Sequence, residues 1–257
     1  MEKRKKSAKI WLCAAIILLI ASMAGASLVQ TAAGKVKVKD LRFETTLGIR
    51  MSALLFVPKG VSAENKAPAI VVSHGMLNNR EMQDLNFVEL SRRGFVVLAI
   101  DMFSHGNSET IDGFGALTQG VAEGVKLLSS INYVDTTRIG VTGHSFGGLN
   151  SSIAAMADAH SKTPVISAVL INACDATYKD AKTGEYINPY SDKHVGIIAD
   201  QYDEFILRDK DENGNVTPPR DFIKYGNAQS FLYFGTDPAR RELRSANTMY
   251  RETINAK

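Results

Sequence analysis

The chain begins with a short basic stretch, MEKRKKSAK, and then runs without a charge from Ile10 to Gly34. The heart of that run, IWLCAAIILLI, is apolar on every side, so it does not predict a surface helix with one buried stripe. About 20 apolar residues suffice to cross a bilayer, which a helix through Val29 supplies. Two readings compete for residues 1–34. Ala24-Gly25-Ala26 resembles the small-residue site of a cleavable signal peptide. Ser27-Leu28-Val29 prolongs the apolar run and favours an uncleaved signal anchor. In both readings the basic end stays in the cytoplasm and the chain from about Lys35 lies outside it. The expected location is the cell membrane, single-pass, or the exterior if the segment is removed.

From Lys35 the pattern changes to short alternating or apolar runs between turn residues. KVKVKDLRFET alternates, IRMSALLFVP follows a Leu47-Gly48 turn, and together they predict an antiparallel pair closed by Pro58. AIVVSHG (Ala69 to Gly75) and FVVLAID (Phe95 to Asp101) are continuous apolar runs, as in strands covered on both faces. Between them, EMQDLNFVELSRRG has helical spacing through Met82, Leu85, Val88 and Leu90 and stops at Gly94. Leu117 to Leu128 predicts a helix and Arg138 to Gly143 a strand. A helix from Ser145 to about Asp158 follows, then strands at Val165 to Ala173 and Val195 to Asp200. Alternation of strand and helix predicts an α/β domain, a mostly parallel central sheet with helices on both faces, over residues 35–257.

Charge adds one restriction. The chain carries 30 Lys and Arg against 27 Asp and Glu, a formal +3. The first nine residues hold five of those cations and one anion, a net of +4, so the remainder sums to −1. A nearly neutral body gives no reason to expect nucleic-acid binding. Two cysteines, Cys13 in the apolar run and Cys174 alone, provide no intrachain disulfide framework.

The sharpest chemical signal is Gly143-His144-Ser145-Phe146-Gly147, followed by Gly148. A G-x-S-x-G sequence between a strand and an Ala-rich helix suits a serine nucleophile on a tight turn, where neighbouring side chains would collide. Glycines at 143 and 147 remove those side chains. The turn sets the Ser145 hydroxyl at a helix N-terminus, which favours developing negative charge. The plain alternative is a helix N-cap serine after a glycine turn.

The elbow and its surroundings resemble the alpha/beta-hydrolase superfamily, over roughly Val36 to Asp203. Ser73-His74-Gly75-Met76 looks like the family's HG loop after the third strand. That match implies that the Met76 and Phe146 N–H groups form the oxyanion hole, with His74 as packing rather than base. Asp101 through Ser108 resembles the D-x-x-x-H-G-x-S loop, whose Asp101 and His105 are structural in relatives. The resemblance further implies a carboxylate after the last predicted strand, at Asp203, with Glu204 as fallback. The chain order for this fold is Ser, acid, His. None of the five histidines, at 74, 105, 144, 160 and 194, follows Asp203. Either the chain is C-terminally incomplete or it is a non-catalytic member. The intact elbow, loop and acid favour the first.

The expected function is a serine hydrolase that forms an acyl-enzyme on Ser145 from an ester, thioester or peptide. The alternative is a hydrolase-fold binding or scaffold protein. No cofactor or metal is implied. Asp209, Asp211, Asn213 and Gly214 imitate the start of a calcium loop, but position 12 is Arg220 rather than Glu. The expected partners are the acyl substrate and, through residues 10–29, the membrane.

Overall fold

The computed structural model describes residues 2–198 other than 179, 181 and 186, together with 213 and 215. It opens with helix α1 (Glu2–Gln30), whose large apolar side chains are exposed along its length. A stretch of 27 residues, Arg4–Gln30, has a mean hydropathy of 2.5 with no part buried in the protein. By length and composition it can cross a membrane.

Strands β1 (Val36–Glu44) and β2 (Arg50–Pro58) form the expected antiparallel pair. Strands β3 (Ala67–Ser73), β4 (Val96–Ile100), β5 (Val134–His144), β6 (Ile166–Asn172) and β7 (His194–Ile198) complete one sheet. Its order is β1-β2-β4-β3-β5-β6-β7. β2 meets β4 antiparallel, and every contact from β4 to β7 is parallel. The apolar runs at β3 and β4 are accordingly buried on both faces; β4 has no exposed residue.

Helix α2 (Asp84–Arg92) covers one face, over Leu54, Phe56, Val72, Val97 and Ala99. Its anchor is Phe87, stacked on Phe56 with ring centroids 4.6 Å apart. Met82 and Leu85, assigned to the buried stripe from their spacing, are exposed. Residues Arg80–Gln83 form a 3-10 turn, so the periodicity of 3.6 begins later than the apolar letters suggest. The opposite face is covered by α4 (Gly120–Ser130) and α5 (Phe146–Ala159), packed on Val71, Leu98, Ile100, Ile139 and Val141. The helix expected from Leu117 is two pieces, since α3 (Phe114–Leu117) ends at Thr118 before α4 begins. Gly124 lets α4 lie directly on the sheet: a Cβ there would stand 3.1 Å from Val71 Cγ1.

Candidate active site

The parallel strands β3 to β6 all point their carboxyl ends at one edge, and the predicted chemistry collects there. β5 ends at His144 and α5 starts at Phe146, so a single residue, Ser145, makes the whole reversal. Its φ is +55° and its ψ −116°. A side chain held at positive φ costs roughly 1–3 kcal/mol and persists only where its surroundings fix it. Here the Ser145 N–H donates to Asn172 O at the end of β6 (2.9 Å), and Ser145 O accepts from Leu149 N–H (3.0 Å).

The flanking glycines are required by close approach. A Cβ on Gly147 would lie 2.4 Å from Ser73 O and 2.7 Å from His74 O. One on Gly143 would lie 2.3 Å from Ser73 Oγ and 2.5 Å from Gly147 carbonyl atoms. Ser73 Oγ is buried, 3.0 Å from Gly147 O and 3.2 Å from Thr142 O, and ties the end of β3 to the elbow. This role of Ser73 escaped the sequence reading, although its place directly before His74-Gly75 was the available signal.

The loop after β3 lies against the elbow. A Cβ on Gly75 would stand 3.3 Å from His144 Nδ1 and 3.6 Å from His144 O. Met76, the next residue, is partly exposed. Phe146 is the first residue of α5, so its N–H has no intrahelical acceptor. Leu77 follows at φ +62° and is 90% exposed. The exposed ring of Phe114 tilts against Phe146, centroids 5.7 Å apart. The rim of the elbow is therefore apolar, and Phe114 and Leu77 carried no sequence motif that would have announced it.

The two nearby histidines are occupied. His74 is fully buried; its Nε2 accepts from Met102 N–H (3.1 Å), so its Nδ1 carries the proton and donates to Gly75 O (2.8 Å). Burial lowers its pKa, opposed by that backbone bond. His105 repeats the arrangement: Nε2 accepts from Leu77 N–H (3.1 Å), and Nδ1 donates to Phe103 O (2.8 Å). Both are braces between loops, as the motif match implied. His144 is exposed beside Gly75, His160 Nδ1 bonds Met156 O, and His194 opens β7.

Asp101 is a buried brace too. Its carboxylate accepts from Arg80 N–H (2.9 Å) and Asn107 N–H (3.1 Å). Gly106, at φ +53°, must lack a Cβ, which would fall 2.3 Å from Asp101 Cγ. The Arg80 guanidinium continues the network to Ser52 Oγ (2.7 Å) and Asp40 (2.9 Å). Asp203 and Glu204, assigned the acid's place, lie outside the described residues. Among the described residues no group of three His, Cys, Asp or Glu could hold a metal ion.

A family model, PETase (PET hydrolase-like), matches residues 22–183, more than half of the chain. The chain belongs to the PET hydrolase-like family. The match spans β1 through β6 and includes Ser73–Met76 and the elbow. An uncharacterized protein of Escherichia coli K12, YcjY, is 28% identical over 131 residues, 49% of this chain and 43% of that protein. Among solved structures, a hypothetical protein, PA2218 of Pseudomonas aeruginosa, is 28% identical with a TM-score of 0.46. It is covered over 43% of its length by 54% of this chain. The esterase Pf2001 of Pyrococcus furiosus is 21% identical with a TM-score of 0.45, over 56% of this chain and 54% of that one. This PET hydrolase-like chain thus spans less than half the length of its curated relative. It is a hydrolase-fold protein with one apolar N-terminal helix.

Proposed function

We propose that the chain is an extracytoplasmic, membrane-anchored serine hydrolase that cleaves an acyl bond through an acyl-enzyme on Ser145. The observation that carries this reading is the backbone at Ser145. A serine forced to φ +55° between a central strand and a helix, at some energetic cost, serves no packing purpose that an N-cap in ordinary extended backbone would not serve. Ser145 Oγ adds to the substrate carbonyl while its proton passes to a base. The carbonyl oxygen becomes anionic and takes hydrogen bonds from the Met76 and Phe146 N–H groups, each worth on the order of 3 kcal/mol. Collapse expels the alcohol, thiol or amine, which takes the proton from the base. Water then repeats the addition, releasing the carboxylic acid and restoring the serine hydroxyl. Asp203 is the carboxylate that orients the base, a group that none of the five histidines at 74, 105, 144, 160 and 194 is assigned to supply. The family description favours an ester, and the apolar rim of Met76, Leu77 and Phe114 favours an apolar acyl or alcohol group. Helix α1 is the anchor.

One observation favours a second reading, a hydrolase-fold binding protein: the two histidines nearest the elbow, His74 and His105, are both engaged by loop backbone. Turnover of p-nitrophenyl esters, by protein expressed from its own genomic locus, separates the two. Hydrolysis abolished by Ser145→Ala supports the enzyme. Equal rates in both proteins, or none in either, overturn it.

A further inference from the structure

At the sheet edge opposite the elbow, a cleft of about 460 Å³ opens between the end of β2, the loop into β3 and the turn before β4. Its walls include Pro58, Lys59, Lys66, Pro68, Arg92 and Arg93. Glu89 takes both arginines (2.8 Å to Arg92 and a close contact to Arg93), and the adjacent Glu64 is held by Ser62. Among the described residues no carboxylate pairs with Lys59 or Lys66, and both are exposed. Lys35 lies next to this wall, its carbonyl accepting from Lys59 N–H (2.7 Å). Four cations thus face two carboxylates, Glu89 and the adjacent Glu64, so the cleft is net cationic.

Its position is fixed relative to α1. The Arg92 guanidinium donates to Val29 O at 2.7 Å. Val29 is the last apolar residue before the polar end of α1, and Ile10 to Val29 spans about 30 Å at 1.5 Å per residue, the thickness of a hydrocarbon core. Arg92 thus stands at the depth where lipid phosphates lie.

We propose that this cleft binds the phosphate groups of anionic lipids in the bilayer that α1 crosses, seating the domain on the membrane surface. The proposal rests on α1 being the membrane anchor. Phosphodiesters match paired ammonium and guanidinium donors, and the anionic surface attracts each lysine with a gain of about fivefold in occupancy. Seating has a consequence for substrate class. β3 leads from the cleft at Ala67 to Ser73, which is bonded to the elbow, about 20 Å along seven residues. The nucleophile then lies about 20 Å from the seated cleft, at the other end of β3, where acyl compounds in the surrounding aqueous space are its expected substrates.

The test uses the full chain in nanodiscs carrying a headgroup-spin-labelled phosphatidylcholine, with Cys13 and Cys174 replaced by Ala. A fluorophore is attached at Ala63→Cys beside the cleft or at Asp112→Cys near the opposite edge; both positions are exposed. Adding phosphatidylglycerol to about a third of the lipid should increase quenching at 63 and not at 112. Salt at about 0.5 M should reverse it by screening. Lys59→Gln with Lys66→Gln should weaken docking roughly thirtyfold. Equal quenching at 63 with and without phosphatidylglycerol, insensitivity to the double substitution, or stronger quenching at 112 overturns the proposal. The anchor is read separately, by flotation with phosphatidylcholine vesicles at high salt. If the chain does not float there, the anchor reading fails. Flotation that then needs phosphatidylglycerol and both lysines would still support the cleft.

Discussion

Replacing Gly147 by Ala tests whether the elbow is built by close packing against the loop after β3. The added Cβ would lie 2.4 Å from Ser73 O and 2.7 Å from His74 O, both backbone atoms. To reach even a tight 3.0 Å, the strand end or the helix must move by at least about 0.6 Å, and backbone on both sides leaves no flexible side chain to absorb it. Overpacking of this kind costs about 1–3 kcal/mol, which in a domain of this size lowers Tm by about 2–12 °C. Ala's better helix propensity offsets up to about 1 kcal/mol of that. The larger effect falls on the site. A shift approaching 1 Å between nucleophile and oxyanion donors costs on the order of a hundredfold in rate. Gly140→Ala, on the same strand, is the control, because its Cβ would meet Ile70 and Ala168 at 3.6 and 3.7 Å, ordinary contact distances. The assay is thermal unfolding together with the rate of fluorophosphonate labelling. If Gly147→Ala labels and melts like Gly140→Ala, the steric reasoning about the elbow is wrong.

Two further predictions follow from buried polar groups. His74 is held neutral and its pKa is lowered chiefly by burial, so the unfolded chain binds the extra proton first. Its contribution to stability is complete above the unfolded pKa of 6.5 and is lost as pH falls below it toward the lowered folded value. Urea unfolding at pH 7.5 and 5.5 should show a fall in stability that His74→Gln reduces; an unchanged pH dependence in the variant would refute this. Lys193 is 3% exposed, with Nζ 2.6 Å from Asp158 Oδ2 and 2.8 Å from Ile166 O. Lys193→Ala should cost about 3–5 kcal/mol by leaving Asp158 with an unpaired charge, measurable by the same unfolding; a loss under about 1 kcal/mol would contradict the buried pairing.

The parts legible in the sequence are those whose letters encode a local physical constraint. Continuous apolar runs marked β3 and β4 because a strand buried on both faces has no polar side. The glycines at 143 and 147 marked the elbow because no Cβ fits there. Other features depend on contacts distant in sequence. Arg80 stands in no motif, yet it is 6% exposed and bridges Asp40 and Ser52, 40 and 28 residues away. Phe114 joined the rim only because a broken helix, α3 then α4, set it against Phe146. The start of β5 at Val134, four residues before the apolar signal at Arg138, is set by pairing of Val134 with Ala67. Lys59 and Arg92, 33 positions apart, became one cleft only through the sheet order.

The central claim, that Ser145 is an activated nucleophile, is met most directly by peptide mass spectrometry of the protein after reaction with a fluorophosphonate. The account predicts one phosphonyl adduct, on Ser145 within the peptide containing Gly143 to Gly148, and none in Ser145→Ala. An unmodified Ser145, or an adduct on another serine that persists in the variant, would contradict it.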